Sequence, residues 1–210
     1  MDGVALVYVH GLWMTGHEAF MLHHRLVRDR GYHWYRFAYH SRSNSMTAVA
    51  EALARHIDAL KASRLHLVGH SLGGLVILRA LAAHGPFPPG RVVLLGAPSV
   101  RSSAAARLAR FRYGRAILGQ AAREELLQTQ GRHWAGEREL GIIAGTQSIS
   151  IGRLVSDFEE CNDGTVAVSE TQLPGATAHL ILPVNHTGML LSARVAKETG
   201  SFLEHGRFGS

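Results

Sequence analysis

The stretch "LHLVGHSLGGLVILRAL", residues 65 to 81, decides the reading of this chain. An apolar run ends at Gly69, one hydroxyl follows at Ser71, and a second apolar run resumes after Gly73 and Gly74 with the spacing of a helix. Gly69-His70-Ser71-Leu72-Gly73 fits the pattern GxSxG between a buried strand and an amphipathic helix, where that pattern forms a tight, strained turn that pushes a serine hydroxyl into solvent. The glycines two positions either side of Ser71 are then steric requirements, because a side chain there meets the neighbouring strand or helix. A serine that merely caps an ordinary helix is the bland alternative.

Working outward, short β-rich apolar runs alternate with helical patterns. Strands are expected at 4 to 10, 34 to 39, 65 to 70, 91 to 98, 140 to 146 and 179 to 184, and helices at about 17 to 30, 46 to 62, 72 to 84, 102 to 130 and 187 to 204. The strands are near-continuous Val, Ile and Leu runs, as in parallel strands covered on both faces. This order predicts an α/β fold: an open, mostly parallel sheet with helices on both faces. Residues 1 to 210 read as one domain with a minimal cap or none. Only 99 to 136 is long enough to form a small cap, and a crossover packed on the sheet explains that stretch equally well.

An exposed serine is a poor nucleophile until a base takes its proton and a carboxylate orients that base. The chain supplies both, in the order acid then histidine. "CNDGTVAVSE" (161 to 170) presents Asp163 in an Asn-Asp-Gly turn, and "LPVNHTGML" (182 to 190) places His186 just beyond the last strand. Asp157 and Glu160 compete for the acid position; the glycine-containing turn favours Asp163. In an open α/β sheet all three residues fall at the carboxyl ends of strands. A tetrahedral oxyanion needs two backbone donors. The N-H of Leu72 opens the helix after the serine, and the loop "YVHGLWMTG" (8 to 16) offers the N-H of Leu12. Trp13 and Met14 follow, as candidates either to line a substrate pocket or to join the core.

HGLW, GHSLGG, NDGTV and NHTGM, in this order, resemble the α/β-hydrolase superfamily, and within it the small bacterial esterase and lipase branch with an HGx oxyanion loop. The resemblance runs from Val4 to the closing "FLEHGRF". It implies Ser71 as nucleophile, Asp163 as acid, His186 as base and Leu12 with Leu72 as oxyanion donors, with no cofactor. The activity expected is a serine carboxylesterase acting on short- to medium-chain, small-molecule esters. A lipase, thioesterase or acyltransferase with the same residues, or a binding protein that keeps the fold without the chemistry, are the alternatives.

Composition narrows the remainder. The chain has 210 residues, 46% of them hydrophobic, ample for a full core. Its single cysteine, Cys161, excludes an intrachain disulfide and a cysteine-built zinc site, and points to a reducing, cytoplasmic setting. The first ten residues carry an acid where an export signal is basic, and no apolar run approaches the roughly 20 residues of a membrane helix. The net charge of +6 comes mostly from arginines scattered through predicted helices, without the aromatic interleaving of a nucleic-acid surface. Of the 14 histidines, His17, His23 and His24 lie near Glu18, but not at a ligand spacing, so no metal is expected.

Overall fold

The computed structural model describes residues 4 to 41, 43 to 100, 132 to 148 and 161 to 209. Six parallel strands form one sheet: β1 (Ala5–Val9), β2 (His33–Phe37), β3 (Leu65–His70), β4 (Val92–Leu95), β5 (Leu140–Gly145) and β6 (Ala178–Leu182). They lie side by side in the order β2-β1-β3-β4-β5-β6. The four inner strands are buried at every residue, while β2 and β6 at the edges are partly exposed. This is why β1, β3, β4 and β5 read as unbroken apolar runs: helices cover both faces, and water reaches neither.

The two faces are separated by the pleat. On one side Val7, Val9, Leu65, Leu67, Val92, Leu94 and Ile142 pack with α2 (Met46–Leu60) and α3 (Leu72–Ala83) through Val49, Leu53, Ile57, Leu75 and Val76. On the other, Leu6, Tyr8, Val68, Val93, Leu95 and Ile143 meet α1 (Phe20–Arg30) and α4 (Ala193–His205) through Leu22, Leu26, Val195, Phe202 and Leu203. Burial of each such side chain contributes about 1.5 to 3 kcal/mol, so the two layers dominate the favourable side of folding.

Helix ends follow the local chemistry. Ser45 caps α2 by accepting the Ala48 N-H, and Ser192 caps α4 by accepting the Val195 N-H. Gly31 and Gly206 close α1 and α4 in the left-handed region, with φ of 67° and 72°.

Two helical expectations change at their starts. His17–Ala19 and Gly188–Leu190 form short 3-10 turns, so α1 begins at Phe20 and α4 begins after its Ser192 cap. The strands are one to four residues shorter than the apolar runs suggested, except β3; at β1 and β4 the runs continue into buried loop residues, His10 and Ala97. The expected helix at 102 to 130, and nearly all of the candidate cap at 99 to 136, lie outside the described residues.

The fold opens a crevice where the site is expected. From β1 the chain runs outward to β2, then returns across β1 to β3 and continues the other way. The loops leaving β1 and β3 therefore lead to helices on opposite faces, α1 on one and α3 on the other, and their carboxyl ends part between them.

Candidate active site

Ser71 joins β3 to α3 with φ of 53° and ψ of −124°, a backbone conformation costly for any residue with a side chain. It stands at the cap position of α3, yet its hydroxyl makes no capping hydrogen bond, so the bland reading of this serine fails. The turn is held from several sides. The Ser71 N-H donates to the Leu95 carbonyl at the end of β4, at 2.9 Å. A Cβ on Gly73 would lie 2.1 Å from the Val9 carbonyl oxygen, and one on Gly69 would lie 2.6 Å from the Gly74 Cα. Both glycines are thus demanded by backbone packed against backbone, the collision expected from the motif.

Asp163 and His186 meet. The His186 Nδ1 lies 2.7 Å from Asp163 Oδ2, and the aspartate side chain is almost wholly buried. The other carboxylate oxygen, Oδ1, accepts the N-H groups of Thr165 at 2.9 Å and Val166 at 2.7 Å. These two bonds set the rotation of the carboxylate and leave Oδ2 for the imidazole. A carboxylate facing Nδ1 keeps the proton there, which leaves the Nε2 lone pair able to accept another. The backbones are joined as well: the His186 N-H donates to the Asp163 carbonyl at 2.9 Å.

The surrounding loop presents Asp163 as a small rigid unit. Asn162 pairs with Ala167 across the turn, and Asn162 Oδ1 accepts the Gly164 N-H. Thr171 donates its hydroxyl to the Val168 carbonyl and accepts from His179 Nε2 on β6 at 2.8 Å. On the base side, Asn185 Oδ1 takes the Gly188 N-H that opens the following 3-10 turn, so His186 is relieved of any capping duty. Asp157 and Glu160 lie outside the described residues.

Two strand-end glycines bring the pair toward Ser71. Gly96, with φ of 54°, follows Leu95, and a Cβ there would stand 3.0 Å from Asp163 Oδ2 and 3.1 Å from His186 Nδ1. Gly145 ends β5, where a Cβ would lie 2.8 Å from the Asp163 Cβ. The acid and the base therefore sit directly on the ends of β4 and β5, one residue beyond the carbonyl that holds Ser71. Sequence reasoning passed over both glycines, although each stands near the end of an apolar run, in "LLGAP" and "IIAGT".

The loop after β1 closes the other side. The α-carbon of Gly11 abuts the serine, since a Cβ there would lie 3.1 Å from Ser71 Cβ. His10 is fully buried; its Nε2 accepts the Tyr39 N-H at 3.2 Å, which places its proton on Nδ1, 2.8 Å from the Gly11 carbonyl it donates to. The Tyr39 hydroxyl in turn donates to the His10 carbonyl, and the two rings stack. Burial lowers the His10 pKa and raises that of Tyr39. Tyr39 and Ser41, whose Oγ accepts the Trp13 N-H, were not singled out in the sequence, where no motif marks them.

Leu12 packs on the α2 and α3 core, and Leu72 is the buried first residue of α3. Trp13, with φ of 62°, is 58% exposed, whereas Met14 packs toward the α1 and α4 core with its sulfur beside Gly11. The pair therefore divides between surface and core. The histidine-rich segment serves the same loop: Glu18 accepts the N-H groups of Thr15 and Gly16, and His23 stacks on Trp34.

With this geometry in place, the family can be stated. A model of the Alpha/beta hydrolase family matches residues 6 to 195, and the chain belongs to that family. Among solved structures it is similar to the mature lipase BlEst2 of Bacillus licheniformis, at 20% identity and a TM-score of 0.75 over 99% of this chain and 93% of that one. It is similar too to a hydrolase from Pseudomonas aeruginosa, at 19% identity and TM-score 0.64, covering 96% and 89% of the two chains. The thioesterase RedJ of the prodiginine pathway in Streptomyces coelicolor follows at 14% identity and TM-score 0.62, over 94% and 89%. No curated protein sequence matches the chain. Among the described residues, no helix is long and apolar enough to cross a membrane.

Proposed function

We propose that this hydrolase-family chain is a serine carboxylesterase with Ser71 as nucleophile, His186 as base, Asp163 as its orienting acid, and the N-H groups of Leu12 and Leu72 as oxyanion donors. The observation that carries the reading is the Asp163–His186 pair at 2.7 Å, seated on Gly96 beside the strained Ser71. A structural ion pair has no need of a serine held at φ 53° next to it, and a strained serine has no need of a tautomer-fixing carboxylate.

In the reaction, Ser71 Oγ attacks the ester carbonyl carbon as its proton passes to His186 Nε2. The carbonyl π electrons move onto oxygen, and the two backbone donors stabilise that oxyanion. Collapse breaks the bond to the alkoxide, which takes the proton from His186 and leaves as alcohol, with the acyl group on Ser71. Water then repeats the sequence: it loses a proton to His186, attacks the acyl carbon, and releases the acid as Ser71 regains its proton. Asp163 stays ionised and stabilises the transient imidazolium.

A fluorophosphonate probe tests the nucleophile, and a series of p-nitrophenyl esters from acetate to palmitate, run beside acyl-CoA thioesters, tests the substrate class. Labelling at Ser71 with turnover of the shorter esters supports an esterase. Preference for the thioesters would move the assignment to a thioesterase, and absence of labelling would leave a binding protein.

A further inference from the structure

His70 precedes the serine, in the variable position of the motif, and the mechanism above makes no use of it. The side chain is fully buried. Its Nε2 lies 3.0 Å from the backbone carbonyl oxygen of His186. A carbonyl can only accept, so the proton sits on Nε2 and the ring is the Nε2-H tautomer. Nδ1 is then a bare lone pair; among the described residues it has no hydrogen-bond partner, and a Cβ on Gly11 would lie 3.2 Å from it. The His70 and His186 rings are 4.6 Å apart between centroids. One side chain thus touches the serine turn, the segment that carries the base and the loop that carries the oxyanion donor.

We propose that His70 is a positioning residue for the reaction described above: its Nε2-H holds the His186 backbone, and through it the imidazole, at the correct reach from Ser71. The inference rests on that reading of the site. Asp163 fixes the His186 ring from the side of β5 and β6, but nothing in that pair sets its distance from the serine. The bond from His70 does, because its donor belongs to the residue bonded directly to Ser71. A displacement of about 1 Å between nucleophile and base is enough to lower turnover about a hundredfold.

The charge state of His70 suits this role. Burial first, and then the neighbouring His186, lower its pKa to about 3. It stays neutral at working pH, so when His186 takes the serine proton no second positive charge opposes it across the ring contact.

Two variants separate positioning from simple packing. In His70→Gln the side-chain amide nitrogen reaches the place of Nε2 and can still donate; His70→Leu fills similar volume without a donor. We expect His70→Leu to lose about ten- to a hundredfold in kcat on p-nitrophenyl butyrate with little change in KM, and His70→Gln to recover most of that loss. In the proton NMR spectrum, the downfield signal of the His186 Nδ1-H, assigned by its disappearance in His186→Ala, should persist in His70→Gln and broaden in His70→Leu. Thermal melts of both variants establish that each is folded. Equal kcat in the two folded variants, or an unchanged downfield signal in His70→Leu, overturns the proposal. A wild-type chain that neither labels with fluorophosphonate nor turns over ester overturns the esterase reading instead, and the NMR comparison then still decides whether His70 holds His186.

Discussion

Gly11 rests its α-carbon on the side chain of Ser71, so closely that a methyl group in its place would stand 3.1 Å from Ser71 Cβ, 3.2 Å from His70 Nδ1 and 3.3 Å from the Met14 sulfur. With three neighbours at this range, a methyl group at position 11 is admitted only if one of them, or the loop that carries Leu12, shifts by a few tenths of an ångström. Gly11→Ala should therefore lower kcat on the order of a hundredfold, by displacing the proposed oxyanion donor Leu12, and lower the melting temperature by only a few degrees. Steady-state kinetics with a melt of the same sample check this; full kcat in the variant would remove Leu12 from the oxyanion site.

Ser71→Ala should abolish ester hydrolysis and leave the melting temperature nearly unchanged, because the hydroxyl makes no capping bond to lose. His186→Ala should reduce kcat by a similar factor, and the double variant by little more, since the residues act as one unit. Additive losses would mean that the two work separately.

For Asp163→Asn we expect a fall in kcat of about a thousandfold or more. The amide can still meet Nδ1, but it offers that nitrogen an N-H as readily as an oxygen, and the wrong imidazole tautomer follows. Asp157→Asn is the comparison. A larger loss there than at Asp163 would transfer the acid role to it.

Acid should destabilise the fold well above the range of carboxylate titration. His70 is lowered to about 3 by burial, and His66 to about 4 by burial and the nearby Arg64 and Arg91. Both are neutral in the folded chain at pH 6, whereas in the unfolded chain a histidine binds a proton below about 6.5. Above that pH the two states match and nothing is gained or lost. As pH falls below it, the unfolded state takes up protons that the folded state refuses, and each histidine removes up to about 1.4 kcal/mol of stability per pH unit until its folded pKa is reached. Urea unfolding at pH 7.5, 6 and 5 should show this slope, and His66→Gln should reduce it. A flat profile between pH 6.5 and 5 would contradict the burial of both rings.

Substrate size gives the last test. Each methylene that enters an apolar cleft adds about 0.8 kcal/mol, so kcat/KM should climb with acyl length until the cleft is full, and then level among short or medium esters. Hydrolysis of tributyrin followed across its solubility limit should rise smoothly. A sharp increase at the limit would show a lid that opens at an interface, and the chain would then be a lipase.

Much of this architecture is written in local pattern. The four inner strands announce themselves because burial on both faces admits only apolar residues, and β3 was legible to its last residue because the Gly69 and Gly73 pair brackets it. The proposed trio of Ser71, Asp163 and His186 could be picked out as candidates because a serine nucleophile, its base and its acid demand fixed residue types in a fixed order beside recognisable turns. The supports of the site were not. Gly96 and Gly145 are ordinary glycines until the fold sets Asp163 upon them, and Tyr39 and Ser41 act through contacts with residues nearly thirty positions away. His70 stands in the variable position of the motif, and its partner is a main-chain carbonyl 116 residues distant; backbone partners leave no signature in a sequence. The short 3-10 turns before α1 and α4 were hidden for another reason: helical periodicity does not distinguish a tightened first turn from a regular one.

The double attachment of His186 to Asp163, ring to carboxylate and main chain to main chain, makes the two loops a single stiff jaw. An acyl group that is too wide cannot spread them apart without breaking both bonds at once. On the opposing side, from Gly11 to Met14, the Trp13 N-H donates to Ser41 Oγ at 3.3 Å and the Met14 N-H to the Gly11 carbonyl at 3.4 Å, both longer than the two Asp163–His186 bonds. Changes at Trp13 and its anchor Ser41 should therefore broaden or narrow the repertoire while the Asp163–His186 side keeps its form.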